Sequence, residues 1–492
     1  MILIGSFNKI FNLKFDNGSE LIAKIPYPLL TPHHLCTASE VATMDYARTV
    51  LGLPVPKVFG WSASADRTDV GAEYILMEKV EGVELHQRYK NLRSEGLELV
   101  GQVTAMERAF LCSRFSQIGS LYFKEDVEPA LQGRPLYAEG AEDDASERFR
   151  IGPYVDWDFW RGTRANVEAD RGPCMFIFSD FLSRFHSLYL GPDTLSFVRA
   201  IINIQQKWLK EFARSRSVNE VMSRSTLDTS PDFHIRLLDQ LLAVIPHILP
   251  PDVISFPVLW HTDLHAGNIM VKPEGKPDVV GILDWQGMSI APLFMQSVFA
   301  KFVRYTGDDR IIIPPGINIP TLPPDFERYP EDQKADIKQQ LRMALLHKRY
   351  EISIIYNSPY QHAVHEYPQM EHVLPPLYSA SRTWYEGAHH LTQYLIEIQN
   401  NWDDIAPGIP FPCRLDNQDI QQHQREYARL KAYDDVVCRL AKELHVEGDG
   451  WVSNERYGEV KGKCDELERH WDVNGNGGLF PFQNGAPSWF LS

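Results

Sequence analysis

The chemistry-bearing residues crowd into one stretch, His261-Thr262-Asp263-Leu264-His265-Ala266-Gly267-Asn268, followed by Gly281-Ile282-Leu283-Asp284-Trp285. Phe256, Val258 and Leu259 form an apolar lead-in, and a polar loop carrying Asp263 and Asn268 follows it. Apolar runs at 269–271 and 279–283 flank a turn-rich segment at 273–278. The pattern predicts strand, polar turn and strand, which sets Asn268 and Asp284 at one end of a hairpin beside Asp263. Two hard oxygen ligands next to a carboxylate base suit phosphoryl transfer from a magnesium nucleotide. The metal needs oxygen donors, and the acceptor hydroxyl needs a proton acceptor in line with the γ-phosphate. In that reading Asp263 takes the hydroxyl proton, and Asn268 and Asp284 hold Mg²⁺ across the phosphates. Asp263 to Asn268 fits the D-x-x-x-x-N pattern of a catalytic loop (261–268), with His261 two residues before the aspartate.

Two rival readings stand beside this one. The stretch could be a polar β-turn with an Asx-type asparagine. Alternatively, His261-x-Asp263-x-His265 could set metal ligands on one face of a strand, as in a metallohydrolase. The second rival finds no further His/Asp cluster at an obvious spacing, and it leaves Lys24 and Glu40 idle.

Lys24 and Glu40 form the second constellation. Lys24 lies in the apolar run 21–25, and a buried strand seldom keeps a lysine without a partner. Glu40 lies in the first turn of a predicted helix over 36–51. An ion pair between them would aim the ammonium at the α- and β-phosphates of a nucleotide. The bland alternatives are that Thr37-Ala38-Ser39-Glu40 is a capping box and that Lys24 is a solvated edge residue. Gly5 and Ser6, between two apolar runs, are the weakest phosphate signal. They make either a plain turn or a loop whose backbone N–H groups, with the Ser6 hydroxyl, cover the phosphates. The chain has no G-x-x-x-x-G-K-[ST], which excludes a P-loop fold. Met77-Glu78-Lys79-Val80 occupies the position of an interlobe hinge, where backbone groups near Glu78 and Val80 would pair with an adenine edge. Trp160, Trp260 and Trp285 read as core.

Elements must position these groups. Residues 1–82 read as a small sheet-rich lobe, with a hairpin signal at Asp16-Asn17-Gly18-Ser19 and strands predicted at 54–59 and 73–78. Residues 83–492 read as a mainly helical lobe. Its predicted helices cover 104–122, 178–190, 197–213, 233–249, 332–356, 379–402 and 416–444, with loops at 125–150 and from 474 onwards. Met1-Ile2-Leu3-Ile4 runs straight into an apparent core strand, which predicts further sequence upstream. Composition bounds the class: 492 residues, 44% hydrophobic and 23% charged, are ordinary for a folded globular chain. A net charge of −16 argues against nucleic acid or an anionic membrane surface as main partner. The six cysteines have no paired spacing and read as reduced thiols of an intracellular protein, with no zinc site. No apolar stretch approaches the roughly 20 residues that span a bilayer.

The ordered set Gly5/Ser6, Lys24, Glu40, His261-x-Asp263-x-x-x-x-Asn268 and Asp284 resembles the aminoglycoside phosphotransferase-like, protein-kinase-like small-molecule kinases. Ile22-Ala23-Lys24-Ile25-Pro26, Ala38-Ser39-Glu40-Val41-Ala42-Thr43-Met44, Pro54-Val55-Pro56-Lys57-Val58 and Gly281-Ile282-Leu283-Asp284-Trp285-Gln286 look like a fungal branch that includes the altered-inheritance-of-mitochondria proteins. The resemblance implies a bilobal α+β, protein-kinase-like fold with a small antiparallel-sheet N-lobe and a large helical C-lobe. It implies ATP and Mg²⁺ as cofactors and a small-molecule acceptor. It also implies Asp263 as base with His261 beside it, Asn268 and Asp284 as metal ligands, and Lys24 with Glu40 orienting ATP. A mitochondrial location follows from the resemblance alone; composition otherwise predicts a cytoplasmic protein. The glycine-rich loop is reduced, and Trp285-Gln286 stand where protein kinases have Phe-Gly. No Ala-Pro-Glu segment follows Asp284, which disfavours protein substrates. The competing expectation is a catalytically weak, kinase-like binding or regulatory protein.

Overall fold

The computed structural model describes residues 2–4, 8–27, 32, 34–89, 95–138, 143–169, 171–172, 194–216, 226–305, 307, 309–444, 446, 452, 454–473, 475–476, 478 and 480–482. Five antiparallel strands build the first sheet: β1 (Ile2–Ile4), β2 (Asn8–Lys14), β3 (Glu20–Pro26), β4 (Val58–Ser62) and β5 (Tyr74–Glu78), in the order β1-β2-β3-β5-β4. The β2–β3 hairpin turns where Phe15 donates its N–H to Ser19 O and Gly18 takes φ 83°, a left-handed conformation that glycine adopts at little cost. Gly5 and Ser6 lie outside the described residues.

Helix α1 (Leu35–Thr49) packs on β4 and β5 on one side and on β7 (Ser120–Phe123) on the other. That placement explains its composition: Ala38, Val41, Ala42, Met44 and Ala47 are all buried, and the small side chains let both layers approach.

The connector after β5 leads to β6 (Val83–Glu84), which pairs with β10 (Ile269–Val271). β10 pairs in turn with β11 (Val279–Ile282), giving the order β11-β10-β6. β7 pairs with β8 (Phe149–Gly152), and β9 (Pro257–Trp260) with β12 (Ser289–Pro292). Close approach of backbone requires two glycines here. A Cβ at Gly82 would lie 2.8 Å from the Val271 carbonyl oxygen, and one at Gly281 would lie 2.8 Å from Val80 Cγ1.

The longer helices of the second part are α2 (Glu95–Phe110), α3 (Thr194–Glu211), α4 (Pro231–Ile248), α5 (Glu331–Asn357), α6 (Met370–Ala380), α7 (His389–Asn400), α8 (Asn417–Leu444) and α9 (Asn454–Arg469). The apolar faces of α2 to α7 share a core with the strands that includes Phe110, Trp260 and Trp285, and Ile420 of α8 packs against it. The small antiparallel sheet and the large helical part make the bilobal α+β fold that the sequence led us to expect. Among the described residues no helix is long and apolar enough to cross a membrane. Cys36, Cys112, Cys413, Cys438 and Cys464 are free.

Several element expectations fail for identifiable reasons. The helix predicted over 104–122 stops at Phe110, within α2. Beyond it, Phe115 donates its N–H to Pro257 O, and Gly119 exchanges backbone bonds with Ile290. The apolar residues there serve a buried bridge between strands, and their helical spacing is coincidental. The strand expected at 54–59 forms four residues later as β4, because Pro54 and Pro56 cannot donate to a ladder. The segment 125–150 holds more than a loop: a short helix, Asp144–Arg148, opens on a capping box between Asp143 and Ser146. The helix expected over 379–402 is broken at Gly387, whose φ of 96° ends one helical segment before α7 begins. The expected helix at 178–190 lies outside the described residues.

Candidate active site

Lys24 sits in β3, an interior strand, opposite Ile10 of β2 and Ile75 of β5. Its side chain points at α1, where Nζ lies 2.7 Å from Glu40 Oε1, and the same ammonium lies 3.2 Å from Asp284 Oδ1. Lys24 and Glu40 are 4% and 5% exposed, so neither charge is hydrated and each depends on the other. Burial acts to lower the Lys24 pKa. The attraction of Glu40 and Asp284, with their hydrogen bonds, outweighs it and holds the ammonium above its ordinary value. Both bland readings therefore fall. Lys24 is no solvated edge residue, and Glu40 caps nothing. Thr37, the would-be cap, instead donates through Oγ1 to Glu73 Oε2 at 2.6 Å.

Asp284 follows β11 with φ 58°, a left-handed conformation uncommon for any residue but glycine. The turn aims its carboxylate back at Lys24. Partial enclosure penalises the charge, yet Lys24 prevails and holds the carboxyl below its usual range. The side chain remains 45% exposed, open to a ligand. Leu283 donates its N–H to Asn268 O at 2.8 Å, so the hairpin does join the asparagine and the aspartate.

Asp263 lies in the loop between β9 and β10. The loop is fixed by His265 N–H donating to Asp263 O (2.9 Å) and Asn268 N–H donating to His265 O (3.0 Å). The Asn268 amide donates to Asp263 O at 3.0 Å and to Asp263 Oδ2 at 3.4 Å. Both contacts are to oxygens, which identifies the nitrogen side of the amide and leaves its Oδ1 as the atom able to accept a cation. Asp263 Oδ1 takes an ion pair from Lys301 Nζ at 2.7 Å, and its side chain is 36% exposed.

His261 is buried, with Nε2 donating to Leu283 O at 3.0 Å and its ring edge-on to Trp285 at 4.9 Å. Burial lowers its pKa and keeps the imidazole neutral. Its place is that of a strut between the Asp263 loop and the Asp284 turn. The metal reading of His261-x-Asp263-x-His265 is thereby overturned: His261 faces inward, and His265 Nδ1 accepts from Gly267 N–H at 3.0 Å. Among the described residues the one metal-competent group of three His, Cys or acidic side chains lies elsewhere.

At the expected hinge the structure brings one correction. Glu78 donates its N–H to Lys57 O at 2.8 Å, and its carboxylate accepts from Lys57 N–H at 3.0 Å. That backbone donor is spent within the sheet, which removes it from an adenine edge. Val80 covers the β10–β11 hairpin at Gly281. Trp260 and Trp285 are fully buried in the core, as expected.

Two contacts went unforeseen. Lys301 carries no motif, because a surface lysine among many gives no signal. Asn8, which opens β2, donates through Nδ2 to Gln286 Oε1 at 2.8 Å and ties the sheet to the turn after Asp284.

The chain is 31% identical to a subtelomeric hrmA-associated cluster protein of Aspergillus fumigatus (strain CBS 144.89 / FGSC A1163 / CEA10), over 92% of this chain and 89% of that protein. It is 24% identical to Altered inheritance of mitochondria protein 9, mitochondrial, of Eremothecium gossypii, over 92% of this chain and 73% of that one. Similar solved structures include the aminoglycoside phosphotransferase APH(4)-Ia in a ternary complex with AMP-PNP and hygromycin B. It shows 13% identity and a TM-score of 0.31, covering 80% of this chain and 92% of that one. A Plasmodium vivax ethanolamine kinase covers 80% and 76%, with 9% identity and a TM-score of 0.35. The description "Phosphotransferase enzyme family" matches residues 6–296, more than half of the sequence, and the chain belongs to that family.

Proposed function

We propose that this protein transfers the γ-phosphate of ATP to a hydroxyl group of a small molecule. The observation that carries the reading is the three-way contact of Lys24 with Glu40 and Asp284, which joins the sheet, α1 and the β10–β11 hairpin through one buried charge. Such a lysine is costly to build for stability alone. It is the arrangement that orients nucleotide phosphates in this class of chemistry. In this reading residues 1–82 are the nucleotide-binding lobe, and residues 83–492 carry the catalytic loop and the acceptor pocket.

The residues fit a hard divalent cation. Asp284 is held ionised yet open, and Asn268 keeps its carbonyl oxygen after its amide nitrogen is engaged. Mg²⁺, when bound, supplies neutralisation of the charge that develops on the transferring phosphoryl group. The chain's own groups do the rest. Lys24 faces the α- and β-phosphates. Asp263 accepts the proton of the acceptor hydroxyl, and Asn268 holds the Asp263 loop in register. His261 braces that loop against the Asp284 turn.

One observation favours the rival reading of a weakly catalytic binding protein: the Lys301 ammonium already sits on the carboxylate that should act as base. Thermal shift with Mg-ATP on wild type and on Asp284→Ala tests the nucleotide site, and ADP release separates the two readings. We expect stabilisation of the wild type that the variant loses, together with ADP release when the acceptor is found among small hydroxylated metabolites. A wild type that ATP does not stabilise sinks the enzyme reading. A mitochondrial location is proposed from the printed names of the relatives, and microscopy of the tagged protein would test it.

A further inference from the structure

Far from the Lys24 site along the chain, α7 begins with two consecutive histidines, and α8 packs across it. His389 Nε2 lies 3.6 Å and His390 Nε2 3.8 Å from the same atom, Asp434 Oδ2 of α8. One ligand atom from each of the three residues lies within 4.8 Å of the other two. His389 is 3% exposed, and neither of its ring nitrogens has a hydrogen-bond partner. An imidazole stripped of water with both nitrogens unsatisfied costs free energy that something must offset. The two His–Asp separations are too long for hydrogen bonds. They lie within a few tenths of an ångström of the roughly 3.3 Å between ligand atoms of a tetrahedral ion with bonds of about 2.0–2.1 Å.

We propose that His389, His390 and Asp434 bind one Zn²⁺ ion that fastens α8 to α7. Two imidazoles and a carboxylate suit a borderline divalent ion such as zinc, and disfavour Mg²⁺ or Ca²⁺, which take oxygen ligands. The His390 side chain is 38% exposed and Asp434 35%, so an ion can enter and water can complete its coordination. Gly387, at φ 96°, makes room for the arrangement, since a Cβ there would lie 2.8 Å from His389 Nδ1. The spacing of the cysteines excluded a zinc site of their own kind; the ligands here are histidines and an aspartate that only the helix packing brings together. α7 also packs on α4 and α6, so the ion would anchor α8 to the core of the helical part.

The test is a Co²⁺ titration of the full chain after chelator treatment, with Zn²⁺ competition and thermal melts. We expect one equivalent of Co²⁺ with the visible absorption of a four-coordinate ion, displaced by Zn²⁺, and a Tm raised by roughly 2–4 °C at saturating Zn²⁺. Asp434→Asn should lose both effects, and Asp284→Ala should keep both, which separates this ion from any at the Lys24 site. Should Asp434→Asn fail to fold, His390→Gln, on a half-open side chain, is expected to lose the binding in its place. No stoichiometric Co²⁺ on the wild type, or undiminished binding by the Asp434 and His390 variants, would overturn the proposal.

Discussion

Lys301 Nζ and Asp263 Oδ1 lie 2.7 Å apart, so the carboxylate proposed as base already faces a cation. Both side chains are solvent-accessible, and an exposed pair of this kind contributes about 0–1 kcal/mol to stability. Under the proposed phosphotransfer reading its position has a use. An ammonium there orients the carboxylate and can meet the charge of an incoming phosphate. Lys301→Met should leave the melting temperature nearly unchanged and lower the rate of ADP release on the order of tenfold. Faster release by the variant would instead make Lys301 a blocking group and favour a restrained enzyme.

Asp263 and Asp284 should separate chemistry from binding. Asp263→Asn keeps the loop's shape, since the Asn268 contact to the Asp263 backbone oxygen is unaffected. Loss of a general base should cut kcat by roughly 10²–10⁴-fold while the thermal shift with Mg-ATP persists. Asp284→Asn should instead lose the shift. Equal loss of shift in both variants would mean that Asp263 binds nucleotide and takes no part in proton transfer.

The buried pair sets a third expectation. Lys24→Met strands the Glu40 carboxylate in the interior, and breaking such a pair costs roughly 3–5 kcal/mol when the survivor stays charged. Burial already raises the Glu40 pKa, against the pull of Lys24, and removing Lys24 raises it further. A carboxyl with a raised folded-state pKa stabilises below its unfolded pKa and loses that contribution as pH rises through the folded value. The variant should therefore be far less stable than wild type at neutral pH and closer to it in mild acid, as read by urea denaturation. A deficit independent of pH would point to lost packing in place of lost pairing.

Local chemistry was readable where the partners are near in sequence or share a hairpin. Asp263, Asn268 and Asp284 belong to one strand-turn-strand unit, so their juxtaposition follows from alternation and turn residues. Lys24 and Glu40 are one strand and one helix apart, sixteen residues in sequence. The capping-box ambiguity at Thr37 could not be settled locally, because its true partner, Glu73, is 36 residues away. The same limit hid Lys301, 38 residues beyond Asp263 in a segment without periodicity. It also turned 111–122 into an apparent helix, since the strands that claim its backbone, near Pro257 and Ile290, are far off in the chain. The adjacent His389 and His390 are visible in the sequence, but Asp434 becomes their neighbour only through the packing of α8 on α7.

Glu107 gives the last prediction, on stability. It lies fully buried in α2, where Oε2 accepts from Tyr350 Oη at 2.6 Å and from Gln361 Nε2 at 3.2 Å, while Oε1 has no partner. No cation is among these contacts. Burial therefore dominates over the two hydrogen bonds and pushes the carboxyl up from near 4.5 to about 7. A raised folded-state value means that the protonated acid is the form that folding favours. Its contribution is complete below the unfolded value, declines as pH rises from there, and is gone above about 7. The shift corresponds to about 3 kcal/mol at 1.36 kcal/mol per pKa unit. Glu107→Gln, an uncharged isostere that can still accept from Tyr350 and Gln361, should raise the melting temperature at pH 8 and match wild type near pH 4.5. It should also flatten the stability profile between those limits. A variant that is less stable than wild type at pH 8 would show that the carboxylate is tolerated as an anion and that α2 and α5 are held together through its charge.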